Sequence, residues 1–595
     1  MADYDLVIRG GTIADGSGGD LVEGDLAISG GRIAAIGAFG GRGAEEIDAK
    51  GRIVTPGFID VHTHYDGQCI WAEELSPSSA HGVTAAVMGN CGVGFAPCRQ
   101  ADHDMLINVM EGVEDLPGVV MTEGLSWDWE TFPEYLDKVA AQKRDIDVAA
   151  YLPHSPLRVY AMGARGAARE AATEDDLALM RRLTAEAMRA GAIGFATSRL
   201  SIHKTADGGA IPTFDADIAE LEAITRGMGD VGAGTFQVVL DAFVGWDKEY
   251  RVIERVIAAS GRPATFTLAS GNDTAPRWRR VLEMLEKTNA AGGVAHAQVM
   301  PRPIGLIAGL ELTVHPFVLC PSWSKIAHLP IPEQVAAMRD PALREALLSE
   351  DFAPGHPFNA LARNWRWLFP LDNPPDYAPP AHLSMEGQAA ARGCTPQEVA
   401  YDRLLETEGR GLFLAALGNY ENATLDSAHE MLKHPYCVPG LGDGGAHYGA
   451  ICDASYSTYL LTQFVKGEGP LKLGLAEAVH MLSRKAARAV GLHDRGLLAV
   501  GERADLNVID LDGLSLHLPE VVRDLPAGGR RLHQHASGYE ATVVAGEVIR
   551  RFDQSTGARP GKLIRGGGIA LRPEPDSTDP IHHSSPPRRR GVRAD

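Results

Sequence analysis

Short apolar runs alternate with longer stretches rich in Ala, Leu, Glu and Arg through most of the chain. Runs of this length favour buried strands, and the stretches between them favour helices. Residues 173–190 begin with Thr-Glu-Asp-Asp, a helix N-terminal signal. Eight strands with mostly helical connections favour an α/β fold of the (β/α)8, or TIM-barrel, class. The eight runs are 53–61, 85–88, 148–152, 192–197, 235–240, 264–268, 294–299 and 438–441.

The two ends of the chain carry a different pattern, in which short apolar runs are separated by glycines. Residues 29–32, Ser-Gly-Gly-Arg, lie between two such runs and are typical of a hairpin turn. The same pattern returns in residues 496–509 and 541–549. We therefore predict that residues 1–55 and 488–570 form one small β-sandwich domain beside a barrel domain of residues 56–487.

Two further segments differ from the barrel pattern. Residues from about 320 to 400 are rich in Pro, Trp and Arg, which predicts a long insertion over the barrel mouth. Residues 571–595 combine a Ser, Asp and Pro stretch with the run Arg588-Arg589-Arg590. We predict a disordered tail there, and a basic binding patch is the alternative.

Composition excludes several functional classes. Apolar residues make up 45% of the chain and charged residues 22%, the balance of a globular protein, while a net charge of −21 argues against general affinity for nucleic acid. No window is apolar enough to span a membrane, and the acidic N-terminus does not resemble a signal peptide. Seven irregularly spaced cysteines do not suggest a disulfide framework, so we expect a cytoplasmic protein.

The strongest chemical signal lies at the end of the first barrel run. Residues 56–66 read Pro-Gly-Phe-Ile-Asp-Val-His-Thr-His-Tyr-Asp, which places His62 and His64 just beyond a buried strand. Side chains two residues apart in a strand share a face, so both imidazoles can reach one metal ion. This end of a barrel strand is also where TIM-barrel active sites lie. Two ordinary histidines at a strand edge are the alternative, which the flanking residues disfavour.

At these residues the chain resembles the amidohydrolase superfamily, whose first barrel strand ends in His-x-His. Residues 87–92, Val-Met-Gly-Asn-Cys-Gly, narrow the resemblance to the N-acyl-D-amino-acid deacylase family, and the likeness extends from Asp5 to about Arg565. The resemblance implies that Cys91 is a metal ligand, in the place of the carboxylated lysine that bridges two metals in other relatives. A thiolate suits zinc, and a buried structural cysteine is the alternative.

A glycine-rich run supplies the candidate catalytic acid. Residues 440–449 read Gly-Leu-Gly-Asp-Gly-Gly-Ala-His-Tyr-Gly, and Asp443 matches the family's aspartate at the end of the eighth strand. The resemblance implies that Asp443 binds metal and carries the proton from the attacking water to the leaving nitrogen. An aspartate that merely forms a turn is the alternative.

The chain departs from the family at strands five and six, where relatives carry metal-binding histidines. Residues 235–241 and 265–270 contain no histidine, and Gln237 stands about where the first would be. We therefore expect one zinc ion instead of two. Its predicted ligands are His62, His64 and Asp443, with Cys91 as a further candidate.

Several other polar residues are candidates for catalysis or substrate binding. His154 lies in a run that resembles the family's Gly-His-x-x-Leu-Arg after strand three, which implies a contact with the substrate carbonyl oxygen. Arg302 could grip a carboxylate through two hydrogen bonds, and His447 could support the metal site. A structural histidine or a solvated arginine is the alternative in each case. The candidates for substrate binding are Arg158, Arg199, His203, Arg302 and His447.

Together these features predict a metal-dependent amidohydrolase that cleaves a linear amide, most simply that of an N-acyl-amino acid, with Asp443 as general base and acid. One alternative is a cyclic-amide hydrolase of the hydantoinase or dihydropyrimidinase kind, and another is a barrel that has lost its metal and only binds a ligand. The residues expected to contact the substrate differ from those of the family, so other amides are also admissible as substrates. We expect a small-molecule substrate, no nucleic-acid or membrane partner, and a homo-oligomer.

Overall fold

The eight predicted barrel runs coincide with eight parallel strands of one curled sheet, arranged in the order of the chain. The computed structural model describes residues 2–272, 276–352 and 357–566. The first and last strands meet where the backbone N–H of Asp443 donates to the carbonyl of His62 at 3.0 Å. The TIM-barrel prediction is confirmed. Strands one to eight are Phe58–Asp60, Val83–Met88, Asp147–Pro153, Gly194–Ser198, Thr235–Val239, Ala264–Thr267, Ala295–Val299 and Cys437–Pro439.

Amphipathic helices connect the barrel strands. The helix predicted over 173–190 is present as Glu174–Ala190, and the Thr173 hydroxyl and the Asp176 carboxylate cap its first turn reciprocally. In the described ranges no helix is both long and apolar enough to span a membrane. The other helices of the barrel and its loops are Gln68–Trp71, His103–Glu114, Gly118–Gly124, Phe132–Ala141, His154–Met162, Ala164–Ala167, Ile218–Val231, Trp246–Ser260, Trp278–Ala290, Asp426–Lys433, Tyr456–Leu460, Leu475–His480 and Ala486–Ala489.

The two ends of the chain pair in one nine-stranded sheet. Ile53–Pro56 lies at the junction, parallel to the first strand of the chain and antiparallel to Leu506–Ile509. Apolar side chains from both ends pack together in its core. The other strands are Tyr4–Ile13, Val22–Ser29, Arg32–Gly37, Gly43–Asp48, Tyr539–Val544, Glu547–Arg551 and Gln554–Ser555. Two short ladders, Ser515–Leu516 with Ala536–Ser537 and Glu520–Val522 with Arg531–His533, lie apart from this sheet.

The insertion between strands seven and eight has its own sheet and its own apolar core. It starts earlier and ends later than the predicted 320–400, because its outer strands Ile304–Ala308 and Leu412–Gly418 pair with each other. Asn419 holds it at the barrel mouth by bonding the backbone of Ser270 and of Met300. Its third strand is Leu368–Leu371, and its helices are Ile331–Met338, Pro341–Ser349, Pro357–Ala362, Met385–Arg392 and Pro396–Glu406. The predicted tail, 571–595, lies outside the described residues.

Buried Asp147, at the start of strand three, ties distant parts of the chain together. Its carboxylate contacts Arg495 at 2.6 Å and Arg503 at 2.9 Å, and accepts the backbone N–H of Lys562 at 2.7 Å. Removing one charge from a buried ion-pair network leaves the remaining buried charges without a partner. Asp147→Asn should therefore lower the free energy of unfolding by about 3–5 kcal/mol in urea denaturation.

The exposed pair between Asp137 and Arg565 offers a control for this prediction, because the Asp137 side chain is 74% exposed. Asp137→Asn should change the free energy of unfolding by less than about 1 kcal/mol. Equal effects of the two substitutions would show that Asp147 is not a structural hub.

Candidate metal centre

The two histidines lie just after strand one, in a segment that backbone hydrogen bonds hold in place. The N–H of Thr63 donates to the Val87 carbonyl at 2.9 Å, and that of His64 to the Gly444 carbonyl at 2.8 Å. Alternation along this segment directs the rings of His62 and His64 to the same side. Both rings are buried, and with Cys91 they offer donor atoms that all lie within 4.8 Å of one another.

Cys91 reaches the histidines from a tight turn after strand two. Its Sγ lies 3.5 Å from Nε2 of His62 and 3.9 Å from Nε2 of His64. The backbone at Cys91 has a φ of 57°, a left-handed conformation that a side chain rarely adopts. The Asn90 amide holds the turn by donating to the carbonyls of Thr63 and Val87 at 3.2 and 2.8 Å. Strain of this kind concentrates at functional sites.

Asp443 reaches the two histidines from the loop after strand eight. Its Oδ1 lies 3.5 Å from Nε2 of His62 and 3.5 Å from Nε2 of His64. Asp443 also has a left-handed backbone, with a φ of 46°. The preceding residue must be glycine, since a Cβ on Gly442 would lie 2.0 Å from Oδ2 of buried Asp60. The same carboxylate accepts the N–H of His62 at 3.2 Å, so Asp60 joins the two halves of the site.

The distances of Cys91 and of Asp443 from the two histidines suit a zinc ion, and the donors that all lie within 4.8 Å of one another are those of His62, His64 and Cys91. Bonds of roughly 2.0–2.3 Å in a tetrahedron place neighbouring donors about 3.3–3.8 Å apart, close to the 3.5 and 3.9 Å separations found here. Burial lowers the pKa of His62, which favours the neutral imidazole that a metal needs. Its Nδ1 lies 2.7 Å from Oε1 of Gln298. An amide oxygen can only accept, so Nδ1 carries the proton and Nε2 keeps its lone pair.

The electrostatics of the site also favour a cation. Burial raises the pKa of Cys91 well above its usual range, and the carboxylates of Glu114 and Asp443 add to that shift. Burial likewise raises the pKa of Glu114, with a contribution from Asp443. Burying several acidic side chains together is unfavourable without a positive charge nearby. A bound metal supplies that charge and lowers the pKa of a thiol that coordinates it.

Comparison with known proteins identifies the family. The model of the amidohydrolase family matches residues 45–550. The chain belongs to this family. It is therefore a metal-dependent hydrolase that acts on carbon–nitrogen bonds other than peptide bonds.

Two relatives and one solved structure illustrate how far the similarity extends. An N-acyl-D-glutamate deacylase of Alcaligenes xylosoxydans xylosoxydans is 28% identical over 581 residues, which cover 96% of this chain and 98% of the relative. A D-aminoacylase of the same organism is 37% identical over 195 residues, 33% of this chain and 37% of the relative. The N-acyl-D-glutamate deacylase of Bordetella bronchiseptica, solved with zinc and a phosphonate inhibitor, superimposes with a TM-score of 0.62 at 23% identity, covering 94% and 99% of the two chains.

Strand five of this amidohydrolase brings a glutamine to the place of the missing histidine. Oε1 of Gln237 accepts the backbone N–H of Cys91 at 3.2 Å. Gln237 therefore supports the cysteine turn with the oxygen that could otherwise face a metal. Within the described residues, His62, His64 and Cys91 are the one group of three donors close enough together to hold an ion.

His154 and Arg158 lie in a separate buried network. Nδ1 of His154 bonds the Thr197 hydroxyl at 2.8 Å, and Nε2 bonds Glu220 at 2.8 Å. Arg158 pairs with the same glutamate and also donates to the Glu170 carbonyl. Both ring nitrogens of His154 are occupied, so this geometry gives no support to its predicted contact with the substrate oxygen.

The other two candidate arginines also have acidic partners. Arg199 grips Glu249 through two hydrogen bonds of 2.7 and 3.1 Å. Arg302 bonds Asp453 at 2.6 Å, and its guanidinium lies 4.1 Å from the ring centre of Tyr377. Neither is placed to bind a substrate carboxylate without first giving up its partner. Their predicted substrate role therefore remains a prediction that these contacts do not support.

His203 and His447 do lie beside the metal centre. Burial, together with nearby His447 and His64, lowers the pKa of His203 to about 3. Nδ1 of His203 is buried and accepts or donates no hydrogen bond among the described residues. Nε2 of His447 lies 3.4 Å from Oε2 of Glu114. Both histidines remain candidates for contacts with the substrate or with the residues around the metal.

The sequence reasoning missed Glu114 and Gln298, which stand behind the two histidine ligands. One available signal concerned Glu114, because helix His103–Glu114 buries a stripe of Leu106, Met110 and Val113. Glu114 follows Met110 by four residues and so continues this apolar stripe. A charged residue on such a stripe indicates a buried partner. Gln298 carried no comparable signal.

Proposed function

We propose that this amidohydrolase is an N-acyl-amino-acid deacylase whose catalytic centre holds one zinc ion on His62, His64, Cys91 and Asp443. The observation that carries the proposal is the convergence of these donors at the C-terminal mouth of the barrel, with Oδ1 of Asp443 at 3.5 Å from both imidazoles. A zinc ion supplies Lewis acidity, and lowers the pKa of a water it binds to about 7.

Asp443 is the proposed proton carrier. Burial alone would raise its pKa, but the contacts with His64 and His62 hold the pKa at about 2. Asp443 is therefore a carboxylate at neutral pH and can take a proton from the attacking water. The same group returns the proton to the nitrogen as the amide bond breaks.

The substrate class follows from the relatives and from the mouth of the barrel. The relatives named above are deacylases of N-acyl-D-amino acids, which supports an N-acyl-amino acid as the substrate. The loops after strands four and five carry Ile202 and Phe243, which are 64% and 74% exposed. Because Arg158, Arg199 and Arg302 are already paired, we propose that apolar groups of the substrate contribute much of the binding.

A substrate panel tests this proposal. N-acyl-D- and N-acyl-L-amino acids with acidic and apolar side chains, aryl amides and cyclic amides are assayed by amine release or ring opening after zinc loading. We expect the N-acyl-amino acids with apolar side chains to give the highest kcat/KM. Hydrolysis of cyclic amides alone would favour the hydantoinase type. Binding without turnover of any amide would favour a ligand-binding barrel.

The cytoplasmic location and the homo-oligomer predicted from the sequence remain predictions. Light scattering coupled to size-exclusion chromatography measures the oligomeric state directly.

A further inference from the structure

Glu114 is a buried carboxylate whose oxygens lack ordinary hydrogen bonds. The residue is 1% exposed. Its Oε1 lies 3.5 Å from Nδ1 of His64, and its Oε2 lies 3.4 Å from Nε2 of His447. No closer donor among the described residues satisfies either oxygen. Burial of a carboxylate without partners is unfavourable, and these two imidazoles are the groups placed to act as its partners.

The backbone fixes Glu114 against the loop that carries Asp443. The N–H of His447 donates to the carbonyl of Glu114. The next residue, Asp115, ends the helix with a φ of 51° and accepts the N–H of Gly449 at 3.2 Å. Asp115 also accepts the Thr313 hydroxyl at 3.0 Å, which adds the insertion to the same junction. Helix end, loop and insertion therefore hold the Glu114 side chain in place.

His64 stands between Glu114 and the metal donors. Its Nε2 faces Cys91 and Asp443, whereas Nδ1, on the other side of the ring, faces Glu114. A metal needs the lone pair of Nε2, so the ring proton must sit on Nδ1 and point at Glu114. His62 shows the same arrangement, with Gln298 behind its Nδ1 at 2.7 Å.

We propose that Glu114 is the positioning residue of the metal centre. It accepts the Nδ1 proton of His64, which fixes the tautomer and orientation of that ligand, and through His447 it anchors the loop that presents Asp443. Glu114 lies at Nδ1 of His64, whereas Asp443 lies at Nε2 of the same ring. This inference rests on the proposed function only in requiring that His64 bind a metal.

Zinc affinity of the Glu114→Gln variant tests the inference. Glutamine has the same shape but replaces one of the two carboxyl oxygens by an amide nitrogen, which cannot accept a hydrogen bond, so the Kd for zinc should rise about 10–100-fold in chelator competition. In the cobalt-substituted variant the thiolate-to-cobalt absorption band should persist, because Cys91 is untouched. An unchanged Kd would overturn the proposal. Should Glu114→Gln fail to fold, Glu114→Asp, whose oxygens are withdrawn by one methylene, should raise the Kd in the same direction.

Glu220→Gln is the matched control. Glu220 is also a buried glutamate bonded to a histidine, since Oε1 lies 2.8 Å from Nε2 of His154, but it supports no metal ligand. Its substitution should lower stability and leave the Kd for zinc unchanged. If Glu220→Gln weakened zinc binding as much as Glu114→Gln, the effect of the Glu114 substitution would be explained by general destabilisation. If the wild-type protein binds no zinc, the proposed function fails, whereas tight wild-type binding with an equally tight Glu114→Gln variant rejects this inference alone.

Discussion

Asp443→Asn is expected to lower kcat/KM by roughly 10²–10⁴-fold, the usual contribution of a general acid–base group. The amide keeps the shape of the side chain but cannot accept the proton of the attacking water or return it to the leaving nitrogen. Asparagine also tolerates the left-handed backbone that Asp443 adopts, with its φ of 46°. The fold should therefore be unchanged in circular dichroism and urea unfolding.

Zinc loading separates the two roles of Asp443, because the residue is proposed both to bind metal and to carry a proton. Steady-state kinetics are measured at saturating zinc, with the bound metal quantified in the same samples. Asp145→Asn is the control, since this buried aspartate lies before strand three and accepts the backbone N–H groups of Leu75 and Ile146. A metal-loaded Asp443→Asn variant with wild-type kcat/KM would show that another group moves the proton.

The barrel and the core of the site could be predicted because both depend on local patterns. Buried parallel strands appear as apolar runs, and the strand period of two places His62 and His64 on one face. All parallel strands of a barrel end at the same mouth, so residues as distant in sequence as Cys91 and Asp443 were expected to meet there. In the structure each of the two lies 3.5 Å from Nε2 of His62.

The partners of the polar side chains could not be predicted from the sequence. Arg302 follows a strand in the way a substrate-binding arginine would. Its guanidinium nevertheless forms an ion pair with Asp453, which is distant in sequence. Glu114 gives the converse case: its place on the buried stripe of its helix indicates a buried partner, but not that this partner is His64 on a different element. Such pairings are decided by how loops and insertions fold over the barrel, and these contacts leave no periodic signal.

His62→Ala is expected to raise the Kd for zinc about 10²–10³-fold, because roughly 10–16 kcal/mol of binding in a zinc site is shared among four donors. The substitution also removes the partner of Gln298, which bonds Nδ1 of His62 at 2.7 Å. At micromolar zinc the variant should contain little metal and show no measurable turnover. Inductively coupled plasma analysis and chelator competition measure both effects.

His315→Ala provides the matched control for this loss, because His315 is equally buried but packs against Trp323 in the insertion. It should cost stability and leave zinc binding intact. The wild-type titration should end at one equivalent of zinc, since the strand-five position holds Gln237, whose oxygen already accepts the N–H of Cys91. A second equivalent of comparable affinity would require ligands outside His62, His64, Cys91 and Asp443.

Full zinc occupancy in His62→Ala would place the metal elsewhere in the barrel.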